Sequence, residues 1–198
     1  MPHVLYVADC ETTGFDPNNN EIIEVSFYRL SDDKQITVCI KPNNIDSITE
    51  DALRVNGHKL EDLLHKTEYG RQTYLEPSRA LVQIEDFLME DLSTTNERVL
   101  VGQNIPFDIS FFKKLWERQA QSDTYPFGRM YMDTMQIAVF LDYINGTDRK
   151  GYHLGGLVKD FEVKKEKAHT AAGDVKMTKD LFLKQVRFIK NSLKATGE

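Results

Sequence analysis

The sequence predicts an α/β or α+β domain in which helices flank a mixed sheet, and three observations lead there. Val4-Leu5-Tyr6-Val7-Ala8 is apolar without alternation, as in a strand buried on both faces. Further strand-like segments follow it, joined by short polar connections. In the second half, the apolar Val99-Leu100-Val101-Gly102 passes at once into helical periodicity. A chain of 198 residues, 40% of them hydrophobic, can bury one substantial core, so one domain over residues 1–198 is expected.

Taken in order, the first strand ends at Asp9-Cys10-Glu11, and Thr12-Thr13-Gly14 breaks it. Asp16-Pro17-Asn18 supplies turn chemistry, and Ile22–Leu30 reads as a second strand. Ser31–Lys34 is a polar hairpin connection to a third strand, Gln35–Ile40, which Lys41-Pro42 stops. Thr49 is placed to cap a short helix over Glu50–Val55 that Gly57 closes. Residues 58–76 carry no strong period and read as loop, with a helical turn near Leu60–Leu64. Glu76-Pro77-Ser78 opens a helix with Leu81, Ile84, Leu88 and Leu92 on one stripe. Val99–Gly102 is a strand, Pro106–Gln119 a helix, and Pro126 and Gly128 mark a loop. Asp133-Thr134 starts a helix through Phe140, Tyr152–Phe161 is a short helix, and Ala171–Ile189 a long one. There is no repeat, low-complexity tract or linker.

Composition narrows the function. A net charge of −6 argues against a protein that holds nucleic acid by bulk charge alone, but not against an enzyme that meets phosphates through metal ions. Cys10 and Cys39 lack metal-ligand spacing and read as reduced core thiols. Residues 1–10 do not resemble a signal peptide, and no apolar run is long enough to span a bilayer. A soluble, cytoplasmic protein without a membrane partner is expected.

The acids carry the chemistry. Side chains alternate along a strand, so Asp9 and Glu11 point to one side of the sheet and Cys10 to the other. Two carboxylates at the end of a central strand repel each other, and no Lys or Arg lies in that stretch. Either one carboxyl is protonated or the pair waits for metal. Asp108 heads the stripe Phe111, Phe112, Leu115 of its helix, the side that must face the core. Asp174 likewise heads Met177, Thr178, Leu181 and Phe182. His169, five residues earlier, would stand roughly 140° away on a continuous helix, so it belongs to a loop before that helix, able to swing in. His3, His58, His65 and His153 read as ordinary surface or core residues.

Four such acids and one histidine suit hard cations. Carboxylate oxygens favour Mg²⁺ or Mn²⁺, and a two-metal site would hold ions about 4 Å apart. A histidine of near-neutral pKa can take the proton of an attacking water.

The motifs Asp9-Cys10-Glu11-Thr12-Thr13-Gly14, Asn104-Ile105-Pro106-Phe107-Asp108 and His169 followed by Asp174 resemble the DEDDh, or DnaQ-like, group of 3′→5′ exonucleases. That group includes the epsilon proofreading subunit of bacterial DNA polymerase III. The likeness runs over roughly residues 4–185, with Asp133-Thr134 at a helix start and the Leu154, Leu157, Phe161 run. It implies an RNase H-like fold with a mixed five-stranded sheet. It implies that Asp9, Glu11, Asp108 and Asp174 are ligands to two metal ions and that His169 is the general base. It matches Thr12 to the position near the terminal 3′ nucleotide and Asn104 and Phe107 to the substrate cleft. Gln103 stands where the family often has histidine; Gln still hydrogen-bonds but carries no charge, so a different strength or preference of end binding is expected. The activity implied is release of nucleoside monophosphates from the 3′ end of single-stranded DNA, in replication proofreading or repair, with a DNA polymerase as partner.

Two rivals stand beside it. One is an RNA 3′-exonuclease resembling RNase T or oligoribonuclease, which must sense the 2′-OH. The other is a silent nucleic-acid-binding or polymerase-docking module. Residues 158–190 hold nine cations against five anions, a surplus of four, and Lys164, Lys165 and Lys167 are the candidates for backbone contact.

Overall fold

The computed structural model describes residues 3–64, 74–119 and 125–195. His65 and the rest of 65–73 in the loop expected over 58–76 fall outside these residues, as does 120–124 of the loop before Pro126. Three strands open the chain: β1 (Val4–Thr12), β2 (Ile22–Arg29) and β3 (Lys34–Cys39), an antiparallel meander. Helices α1 (Glu50–Asn56), α2 (Leu60–Leu64) and α3 (Pro77–Met89) follow. Then come β4 (Arg98–Gly102), α4 (Pro106–Gln119), β5 (Tyr131–Asp133), α5 (Thr134–Asn145), α6 (Leu154–Asp160) and α7 (Ala171–Ala195). The sheet order is β3-β2-β1-β4-β5, with β4 parallel to β1 and β5 parallel to β4. It is the mixed five-stranded sheet that the resemblance implies.

Caps place the helices where their residues direct. Thr49 accepts the Ala52 amide at the start of α1, and Gly57 closes that helix in the left-handed region at φ 72°. Asp133 accepts the Met135 amide to start α5. Two local readings needed correcting. The stripe on α3 stops at Leu88: the helix ends at Met89, and Leu92 is 92% exposed with φ 55°. Asp91 turns the chain inward there, accepting Tyr6 Oη, the Ser93 amide and Ser93 Oγ. Strand β5 was not read from its residues either. Three residues at a sheet edge, two of them exposed, offer no alternation to detect.

The sheet is covered on both faces. Tyr6, Ala8 and Phe27 pack against Leu81, Ile84 and Leu88 of α3 and Phe111, Phe112 and Trp116 of α4. On the other face, Val7, Tyr28 and Val101 meet Val175 and Phe182 of α7. Each large apolar side chain so buried contributes about 1.5–3 kcal/mol. Odd-numbered residues of β1 therefore face α7. That parity carries Asp9 and Glu11 to the side where α7 begins. Cys10, on the opposite face, is buried in the core, and Cys39 is a buried free thiol.

Candidate metal centre

The site lies at the carboxyl end of β1, past the point where β4 stops pairing with it at Val7↔Val101. One oxygen from each of Asp9, Glu11 and Asp174 lies within 4.8 Å of the others. Two strand residues and the first turn of α7 thus converge on one point. The β1–β2 register slips between Glu11 and Thr12, so Ile23 is left without a partner on β1 and the strand end is re-aimed. Gly14 is required just beyond, because a Cβ there would sit 2.5 Å from Asn20 Oδ1.

Asp108 is buried at the head of α4, and its Oδ1 accepts the Cys10 amide at 2.9 Å. One of its oxygens is therefore spent on the backbone that carries Asp9 and Glu11. His169 is exposed, immediately before α7, with φ 61°, and its amide donates to Asp174 Oδ2 at 3.2 Å. The loop is tight: Gly173 runs so close to Lys167 O that a Cβ would lie 2.0 Å away.

The electrostatics are those of anions without a cation. Burial first, then the charges of Asp108 and Asp174, hold the Asp9 carboxyl well above its usual range. Burial and Asp174 push Glu11 up to about 8. Burial raises Asp108 to about 7 against the pull of the Cys10 amide, and Asp174 to about 6 against that of the His169 amide. Among the described residues no Lys or Arg pairs with any of these four. Asp174 Oδ1 is buried with no hydrogen-bond partner, an orphan that a cation would satisfy. The donor set, all carboxylate oxygen, fits a hard divalent ion.

The remaining site residues divide. Thr12 is buried, its hydroxyl donating to Gly14 O at 2.6 Å. Asn104 is exposed, in the left-handed region at φ 55°, its amide held by Asp133 Oδ1 at 2.9 Å. Phe107 is half-buried and lies 4.9 Å from the Phe111 ring and 6.4 Å from that of Phe15. Gln103 turns into the protein: its Nε2 donates to Tyr152 O and its Oε1 accepts from Thr134 Oγ1, both at 2.6 Å. Of the three lysines singled out, Lys165 lines an open groove of about 570 Å³ that starts at His169 and Asp174 and runs along Leu154, Val158 and Lys159.

Three features escaped the sequence. Phe15 is 76% exposed beside Phe107, signalled only by its place after Gly14. Glu24 is an acid inside the fully buried β2 run, a signal present in Ile22-Ile23-Glu24-Val25. His58 is buried against it, 3.1 Å from Nε2 to Glu24 Oε2.

Residues 6–182 match the profile of the RNase T exonuclease family. The chain belongs to that family, within the DnaQ-like exonucleases. Among relatives, it is 27% identical over 187 residues to the PolC-type DNA polymerase III of Thermotoga petrophila, covering 93% of this chain and 12% of that protein. It is 27% identical over 201 residues to Ribonuclease T of Shewanella denitrificans, covering 96% of this chain and 82% of that one. A solved zinc-bound complex of E. coli exonuclease I with single-stranded DNA superposes with a TM-score of 0.73 at 16% identity, covering 98% of this chain and 42% of that one. The fold of this family member is thus RNase H-like. The chain spans 12% of the length of the polymerase relative and 82% of that of the ribonuclease.

Proposed function

We propose that the chain is a 3′→5′ exonuclease that hydrolyses phosphodiester bonds at the end of single-stranded DNA, releasing nucleoside monophosphates. The observation that carries this reading is the convergence of Asp9, Glu11 and Asp174 within 4.8 Å at raised pKa, with no Lys or Arg paired to them among the described residues. Asp9, Glu11 and Asp174, with Asp108 beside them, are the residues that would hold Mg²⁺ or Mn²⁺, one ion or a pair. Bound there, the cation supplies Lewis-acid stabilisation of the charge that develops on phosphate oxygens.

The chain's own residues do the rest. Asp108 fixes the Cys10 amide and with it the spacing of the two strand acids. His169, at the rim and exposed, takes the proton of the attacking water on a ring nitrogen. Phe15 and Phe107 offer aromatic faces on which terminal bases stack, a contact worth about 1–3 kcal/mol per base. Thr12 and Asn104 flank the position of the 3′ nucleotide. Lys165 and Lys159 meet the backbone along the groove. Gln103 acts one step back, bracing the start of α5 against Tyr152.

The test is digestion of matched 5′-labelled DNA and RNA oligomers with Mg²⁺ or Mn²⁺. A ladder shortening from the 3′ end is expected, absent with Asp9→Ala and Asp174→Ala. Undiminished digestion by either variant would falsify the site, and no digestion of either oligomer by the parent would favour a silent binding module. The Ribonuclease T relative, whose length the chain nearly spans, supports RNA as the second reading. The RNA arm of the same assay decides between them. The PolC likeness supports association with a DNA polymerase, checked by co-elution with a purified replicative polymerase.

A further inference from the structure

We propose that Glu24, held by His58 and Tyr74, is a positioning residue for the divalent cation: a buried anion that tightens the grip of Asp9, Glu11 and Asp174 without ligating the ion. The inference rests on the exonuclease reading above. Glu24 stands directly across from Glu11 in the β1–β2 register, so both side chains leave the sheet on the face where α7 begins. It is 1% exposed, and its charge bears on Asp9, Glu11 and Asp174 alike. A lone carboxylate at such a place is costly, and an apolar residue would pack there with less penalty.

Its partners fix it in place. Glu24 Oε2 lies 3.1 Å from His58 Nε2, and His58 Nδ1 lies 2.5 Å from the Tyr74 hydroxyl. Burial pushes the Tyr74 phenol well above its ordinary pKa, so it keeps its proton and is able to donate to Nδ1. Nε2–H then donates to Glu24. One imidazole thus bridges both neighbours through its two ring nitrogens. Among the described residues no Lys or Arg pairs with Glu24. The same short segment also reaches the strand end: the His58 amide donates to Asn56 Oδ1, and Asn56 Nδ2 donates to Thr12 O at 3.2 Å. Glu24 is therefore set at a constant distance behind Glu11, with one oxygen committed to His58. A carboxylate fixed there acts on the site through its charge, adding negative field where a divalent cation would sit.

The test compares parent, Glu24→Gln and His58→Phe by Mn²⁺ titration calorimetry and by thermal unfolding without metal. Glu24→Gln, equal in shape and uncharged, is expected to bind Mn²⁺ about 10–100-fold more weakly. Its metal-free melting temperature should be unchanged or higher, because a buried charge is gone. His58→Phe strips the donor from Glu24 and should weaken Mn²⁺ in the same direction. The Mg²⁺ concentration for half-maximal digestion should rise in both, with the rate at saturating metal kept. A folded variant of either kind that binds Mn²⁺ as the parent does overturns the proposal, since a packing role would lower the melting temperature alone. If only one variant folds, its titration decides. A parent that neither binds Mn²⁺ nor digests an oligomer would instead sink the exonuclease reading.

Discussion

The two ends of the β1–β2 strand pair treat charge in opposite ways. Where Tyr6 faces Arg29, the buried guanidinium meets Asp32 at 2.9 and 2.8 Å and Glu90 at 2.8 Å, donates to Phe87 O and lies over the Phe87 ring. Five residues along β1, roughly 17 Å away, Glu11 faces Glu24, with Asp9, Asp108 and Asp174 around them and, among the described residues, no Lys or Arg paired with them. At the first end Arg29 draws the Asp32 carboxyl below its usual range. At the second, burial and neighbouring anions push Glu11 up to about 8. One end uses its charges to hold the fold. The other stores repulsion that a divalent cation would relieve.

His169→Ala should show the largest effect short of removing a ligand. Loss of a positioned base is expected to cost on the order of 10²–10⁴ in rate. The fall of the rate on the acidic side of the profile, where a base is lost to protonation, should flatten while Mn²⁺ affinity stays. A rate and pH profile equal to the parent's would remove the role.

Next come substitutions that break the contrast between the ends. Arg29→Ala should destabilise the protein by about 2–3 kcal/mol, below the cost of breaking a fully buried pair because Asp32 and Glu90 reach solvent. Glu11→Gln should raise the metal-free melting temperature by a few degrees at pH 8 while abolishing digestion. Equal changes from both variants in denaturant melts would mean that the ends do not differ.

The pH dependence of metal-free stability follows with its sign. The folded pKa values of Glu11, Asp108 and Asp174, about 8, 7 and 6, exceed those of unfolded carboxylic acids. The folded state binds more protons over that interval, so this contribution is complete below about pH 4 and is lost as pH rises towards 8. Mn²⁺ should therefore raise the melting temperature more at pH 8 than at pH 5. A stabilisation independent of pH would contradict these raised carboxyl pKa values. The smallest effect is expected of Lys165→Ala, a few-fold rise in KM with a shallower salt dependence and unchanged rate at saturation.

Local chemistry made the meander, the caps and the acid positions readable. Thr49 and Gly57 announce α1 by residue type, and Asp108 and Asp174 announce themselves by heading apolar stripes. Edge strand β5 was illegible because its residues are exposed and its pairing with β4 is parallel, contributed wholly by a distant segment. Leu92 continued a helical period that the Asp91 network interrupts from outside the helix. Gln103 carries nothing in its neighbours to say that its amide is spent on Tyr152 and Thr134.

By itself, the sequence determined which side of β1 bears Asp9 and Glu11 and which helix faces bear Asp108 and Asp174, because strand and helix periods are properties of the local chain. Only the tertiary structure decided that Asp174 closes on the strand pair, that Asp108 spends an oxygen on Cys10, and that Glu24 stands behind Glu11 in the grip of His58. Those are distances between segments far apart in the chain, set by how two faces of one sheet are covered.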